Sequence, residues 1–155
     1  MKDAVPPPAD ENAFRELIRT FGAAERVMQP YFAKFGISGS QWGVLRNLQR
    51  AEQSGLVGLR LSELSDRMLI RPPSVTGLVD RLERAGLVLR DVVPGDLRAK
   101  VLRMTPKGRQ LVERVLKGHA GQIERVLAGL TAAEQRELHR LLVVWRTHLE
   151  NLLET

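Results

Sequence analysis

Cysteine is absent from the 155 residues, which excludes disulfide staples, thiolate metal sites and thiol-based redox sensing together. No apolar run approaches the roughly 20 residues needed to cross a bilayer. The opening stretch, with Lys2, Asp3 and Asp10 around Pro6, Pro7 and Pro8, is unlike the apolar centre of a secretion signal. The expected location is therefore the cytoplasm, with no membrane partner. Histidine is scarce: His119, His139 and His148 stand twenty and nine residues apart, so no pair falls at i and i+4 on one helix face. Neither a metal nor a cofactor is expected. A glycine-rich phosphate loop, a nucleophile elbow and a paired-carboxylate signature are all missing, which leaves catalysis without residues and points away from an enzyme.

The net charge of +6 is concentrated rather than spread. Between Val57 and Arg109 eleven basic residues stand against six acidic ones, while the rest of the chain has thirteen against twelve. A polyanion would dock on the middle third.

Hydrophobic spacing divides the chain into helices. Phe14, Leu17, Ile18, Phe21, Ala24, Met28, Tyr31, Phe32 and Phe35 recur at three and four residues and predict a helix ending near Gly36. All four phenylalanines and the only tyrosine lie there, more aromatic surface than a small lobe needs to bury alone. Ser38 and Gln41 form a capping-box pair for a helix from about Gly39 to Ala51. Glu52 to Gly58 reads as a loop and Leu59 to Leu61 as a short extended piece, with Ser62 as the cap of a brief helix.

Pro72-Pro73 can stand only at a helix start. In the helix that follows, Val75, Leu78, Val79 and Leu82 fall on one face, and Ser74, Thr76, Gly77, Asp80, Arg81 and Arg84 are left outside; Gly86 closes it. Leu87 to Val92 and Lys100 to Met104 read as two strands, with Val93 to Ala99 as the turn between them. Thr105 caps a helix with Pro106 at its first position, and Thr131 with Glu134 opens a last helix carrying Leu138, Leu141, Leu142, Trp145, Leu149 and Leu152.

A short helix, a tight turn, a helix with a polar face and a basic hairpin suit a duplex. An α-helix about 10–12 Å wide fits a major groove about 12 Å across, provided its outer face is small and polar. Ser74, Thr76 and Gly77 meet that condition. The helix dipole and free amides beside Ser74 are expected to favour a phosphate or an acceptor-rich base edge, with Arg71 and Arg81 gripping backbone or guanine.

These residues resemble the MarR-type regulators. The likeness runs from about Ile37 to Gly108, through Ile37-Ser38-Gly39-Ser40-Gln41-Trp42, Leu61-Ser62-Glu63-Leu64, Ser74 to Val88, Asp96-Leu97-Arg98-Ala99 and Leu102 to Gly108. It implies a mainly α fold with a small β-hairpin wing, a winged helix-turn-helix between long N- and C-terminal dimerisation helices. Residues 1–10 would be a flexible tail and 11–155 one domain, with 11–36 and 109–155 for dimerisation and 37–108 for DNA. Contacts to double-stranded DNA fall on Arg71, Pro73, Ser74, Thr76, Gly77 and Arg81 of the helix and on Asp96, Arg98 and Lys100 of the wing. The resemblance implies that Arg98 enters the minor groove, oriented by Asp96. Leu97 departs from the commonest wing form, which carries a second arginine there; the departure leaves the fold intact and is expected to weaken one phosphate contact. A homodimer on a palindromic site and a small aromatic or phenolic effector are also implied, with Tyr31, Trp42 and Arg46 as the candidate crevice. Two other readings stay open from the residues alone: a helical dimer that binds a protein partner, and a small-molecule carrier or enzyme using the crevice.

Overall fold

The computed structural model describes residues 11–93 and 95–154. Among them the order is α1 (Glu11–Ala33), α2 (Gly39–Gln53), α3 (Leu61–Met68), α4 (Pro72–Arg84), β1 (Val88–Val93), β2 (Asp96–Met104), α5 (Pro106–Leu127) and α6 (Ala132–Leu153). This is the expected mainly α class with one small hairpin. The expected tail, residues 1–10, and Pro94 lie outside the described residues.

One compact unit extends as far as Gly118 and a second starts at His119. In the first, Val75, Leu78, Val79 and Leu82 of α4 are all buried, and they meet Leu45, Leu48 and Leu64 in one apolar cluster with Val88 and Leu102 from the hairpin. Each such side chain contributes about 1.5–3 kcal/mol by leaving water. That cluster fixes which face of α4 points outward.

Local chemistry sets the ends. The Ser38 box forms in full, Gln41 N donating to Ser38 Oγ at 3.1 Å and Ser38 N to Gln41 Oε1 at 2.8 Å. α2 runs on to Gln53, two residues past the expected end. α3 starts at Leu61, so Ser62 is inside its first turn and is not the cap; the Glu63 carboxylate instead accepts the Arg60 N–H at 2.6 Å. Gly86, at φ 71°, closes α4 with the paired bonds Gly86 N to Glu83 O and Leu87 N to Leu82 O, both 2.9 Å.

β1 and β2 pair antiparallel from Val88↔Met104 to Val92↔Lys100, and then jump to Val93↔Asp96. β2 thus begins at Asp96, four residues before the expected start, and positions 97–99 form a bulge without partners on β1. Leu59 adds an isolated bridge on the other edge of β2, exchanging both bonds with Leu102 at 3.1 and 2.7 Å.

In the second unit the Thr131 box closes α6 at its start, Thr131 N donating to Glu134 Oε2 at 2.7 Å. α6 has no buried residue, and Leu138, Leu141, Leu142, Val144, Leu149 and Leu152 are exposed. On α1, Phe14, Ile18 and Phe21 are likewise more than half exposed, while Tyr31 and Phe32 are buried.

Candidate nucleic-acid interface

α4 presents the polar face that its spacing predicts. Ser74, Arg71, Pro73 and Arg81 are exposed, and Thr76 and Gly77 are half-buried. A Cβ built on Gly77 meets nothing within 4 Å. Packing therefore does not demand glycine here, and the bare backbone is open to close approach from outside. The Thr76 hydroxyl donates to Pro72 O at 3.0 Å, which commits its proton and leaves its oxygen lone pairs to accept.

One expectation is corrected. No spare amides stand beside Ser74: Pro72 and Pro73 have no N–H, and the amides of Ser74 and Val75 both reach Arg71 O, at 3.0 and 3.2 Å. The dipole of the helix persists, but hydrogen bonding at its mouth falls to side chains.

In the wing, Gly95 takes φ 86° and lets the chain reverse. The Arg98 N–H then donates to Asp96 Oδ1 at 3.1 Å. Asp96 thus fixes the backbone of the bulge from which the exposed Arg98 projects. Lys100, paired with Val92, is also exposed.

Four acidic residues of this lobe, Asp80, Glu83, Asp91 and Glu52, are engaged by cations from neighbouring elements. Arg90 of β1 pairs with Asp80 Oδ1 at 2.6 Å and with Glu83, both on α4. The hydrogen bond that Arg90 donates to Asp80, together with the nearby Glu83, raises the Arg90 pKa above its ordinary value despite partial burial. Arg103 pairs with Asp91 at 2.8 Å. Arg109 binds both oxygens of Glu52, at 3.0 and 2.9 Å, and Lys107 Nζ donates to Ala85 O at 2.9 Å at the end of α4. Among the described residues no ion pair joins Arg71, Arg81, Arg98 or Lys100 to a carboxylate, and all four are exposed. Arg90 was not among the residues singled out from sequence, although the i, i+3 carboxylates Asp80 and Glu83 were a signal that a cation faces α4.

Tyr31 and Trp42 flank Phe32, and Arg46 lies against Trp42. Tyr31 and Trp42 are buried, their rings 5.6 and 5.8 Å from that of Phe32, and the Tyr31 hydroxyl donates to Val115 O. Arg46 lies 5.8 Å over the Trp42 ring; burial, then the neighbouring Arg50, lowers its pKa. A separate open cavity of about 300 Å³ is lined by Gln49, Glu52, Gln53, Met104, Arg109, Val112 and Glu113, and by none of the three. Among the described residues no group of three or more His, Asp or Glu could hold a metal ion, and no helix is long and apolar enough to cross a membrane.

A polar recognition helix beside a basic hairpin defines a winged helix-turn-helix transcription regulator. The MarR family profile matches residues 35–99. The transcriptional repressor IacR of Pseudomonas putida is 30% identical over 139 residues, covering 90% of this chain and 80% of that protein. The chain belongs to the MarR family. Among solved structures, a mutant MarR of Escherichia coli complexed with operator DNA matches with TM-score 0.77 at 22% identity, over 85% of this chain and 91% of that one. BpsR of Bordetella bronchiseptica, whose DNA binding is described as regulated by 6-hydroxynicotinic acid, matches with TM-score 0.78 at 22% identity, over 92% and 98%. At that identity both speak for the fold.

Proposed function

We propose that two copies of this chain bind a palindromic operator and repress transcription from it, and that a small aromatic or phenolic molecule releases them. The observation that carries the DNA reading is the outward set Arg71, Ser74, Thr76, Gly77 and Arg81 on a helix whose opposite face is wholly buried. In this reading Ser74 and Thr76 meet base edges in the major groove, Gly77 admits the backbone, and Pro73 sets the start of the helix that enters. Arg71, Arg81 and Lys100 neutralise phosphates, and Arg98, held by Asp96, enters the minor groove, where a narrow electronegative furrow favours a guanidinium.

Support for a homodimer comes from apolar side chains that one copy leaves exposed: Ile18 and Phe21 on α1 and the leucines of α6. Large apolar side chains left exposed along a helix are the kind of surface that an interface covers. A two-fold axis would set the recognition helices about 34–36 Å apart, one turn of DNA.

For the effector, the crevice residues differ in reach. Arg46 is half-buried, whereas Tyr31 and Trp42 would take part only by repacking their aromatic cluster. Release requires the molecule to prefer the arrangement that cannot bind DNA. Repression is favoured by the similarity to IacR, a repressor by description.

Binding to a random-sequence duplex and to a sequence selected by the protein, titrated at several salt concentrations, tests the DNA reading. Each neutralised phosphate adds about 0.9 to the log-log salt slope, so a steep slope with tighter binding to the selected site is expected. A flat slope would favour a protein partner or a small-molecule role instead.

A further inference from the structure

We propose that Arg90 is a positioning residue for DNA binding, clamping Asp80 and Glu83 so that the wing is held at a set place relative to α4. The inference rests on the DNA reading above and assigns a task to a residue that touches no DNA in it. Arg90 lies on β1 opposite Leu102, a buried residue that is also bonded to Leu59. Its backbone is thus fixed to the lobe. Its two terminal nitrogens reach different carboxylates on α4, one at Asp80 Oδ1 2.6 Å away and the other at Glu83. A planar fork with several donors suits two acceptors one helical turn apart; a lysine would offer a single point of charge. The next residue, Asp91, points to the other side of the strand and holds Arg103 of β2 at 2.8 Å. Successive residues of β1 therefore tie the hairpin to α4 and its two strands to each other.

The clamp is only partly shielded, with side-chain exposures of 27% for Arg90, 46% for Asp80 and 41% for Glu83. Ion pairs of that exposure contribute little to folding. Their effect on a ligand gripped at two points is different. Once α4 is docked, the local concentration of Arg98 at the neighbouring groove depends on how stiffly the wing is joined to α4. Loosening the joint weakens the second grip without removing any contact.

Arg90→Gln and the double variant Asp80→Asn/Glu83→Gln test this on DNA selected by the parent protein, together with Arg98→Ala and Arg90→Gln/Arg98→Ala. All are assayed at a temperature where circular dichroism shows them folded; the carboxylate variant supplies the test should Arg90→Gln fail to fold. Arg90→Gln is expected to weaken binding about tenfold, within the range of coupled sites, with a salt slope equal to the parent's, because Arg90 neutralises no phosphate. Asp80→Asn/Glu83→Gln is expected to weaken binding similarly. Charge alone predicts the opposite, since that variant gains two units of positive charge. Arg98→Ala is expected to cost less in the Arg90→Gln background than in the parent. Parent-like binding by Arg90→Gln, tighter binding by the carboxylate variant, or losses that simply multiply would each overturn the clamp. If Arg98→Ala itself binds with the parent's affinity and slope, the wing reading has failed and the clamp with it, a pattern distinct from the other three.

Discussion

Asp96 accepts the backbone N–H of Arg98 at 3.1 Å, inside a bulge where three residues of β2 separate positions whose partners on β1 are adjacent. The carboxylate acts on the chain beneath the arginine, so its contribution to DNA binding passes through Arg98. Arg98→Ala is expected to weaken binding across many sequences and to lower the salt slope, by at most about 0.9 for each of the two arginines lost from the dimer. Asp96→Ala should produce part of that loss alone and almost none once Arg98 is alanine. Equal losses from Asp96→Ala in both backgrounds, read by fluorescence anisotropy, would show that the aspartate acts some other way.

Ser74 and Thr76 should govern which sequence is bound. Because the Thr76 proton goes to Pro72 O, its oxygen can only accept from DNA, which suits the N4 amino group of cytosine or the N6 amino group of adenine. Replacing Thr76 by alanine is expected to relax the preference at one base pair per half-site by about 1–3 kcal/mol, with stability changed by less than about 0.5 kcal/mol for Ser74→Ala at its exposed position. Selection of DNA from a random pool measures the first and thermal melting the second. An unchanged consensus for Thr76→Ala would remove it from the readout.

Much of this geometry is legible in the residues because it depends on near neighbours in sequence. Pro72-Pro73 announces the start of α4, its i, i+3, i+4, i+7 apolar set announces the buried face, and Ser38/Gln41 and Thr131/Glu134 announce their helices. What escapes is set by contacts across the fold or by backbone conformation. α3 begins two residues early because Glu63, not a capping hydroxyl, satisfies the Arg60 amide. β2 begins at Asp96 because a bulge, which residue alternation does not encode, absorbs positions 97–99. The clamp on Arg90 joins residues seven and ten apart on different elements, and a charge count alone would have placed that arginine with the DNA-facing cations.

Gly108 is required by a backbone neighbour. A Cβ there would stand 2.1 Å from Leu87 O, and that carbonyl is itself held by the Thr105 amide at 3.1 Å. Gly108→Ala is expected to cost about 1–3 kcal/mol by overpacking, lowering the melting temperature by about 2–4 °C for each kcal/mol in a chain of this size. A melting temperature equal to the parent's would contradict the close approach.

Leu69 ends α3 at φ 52°, the left-handed region, and is 60% exposed. The strain costs about 1–2 kcal/mol for a residue with a Cβ, against about 0.5–1 kcal/mol of extra chain entropy lost by glycine. Leu69→Gly should therefore raise stability by about 0.5–1 kcal/mol in a denaturant titration. A lowered midpoint would mean that the leucine makes contacts worth more than its strain.

Asp91 titrates below its ordinary range because Arg103 donates to its carboxylate, aided by the Val92 amide. A depressed folded value means that the pair's contribution is complete above the unfolded pKa, about 3.9, and is lost as pH falls through the lower folded one. Carboxyl carbon shifts followed by NMR should show Asp91 titrating below about 3.9 in the parent, and moving up towards that value in Arg103→Ala. Titration of the parent at or above it would break the assignment.

The most direct test of α4 in the major groove and Arg98 in the minor groove is methylation protection on a duplex selected by the protein, since dimethyl sulfate reports guanine N7 in one groove and adenine N3 in the other. Two symmetric sets of N7 protection about one helical turn apart are expected, flanked by N3 protection that disappears in Arg98→Ala while N7 protection stays. N3 protection that survives Arg98→Ala, or N7 reactivity unchanged by the protein, would contradict this mode of binding.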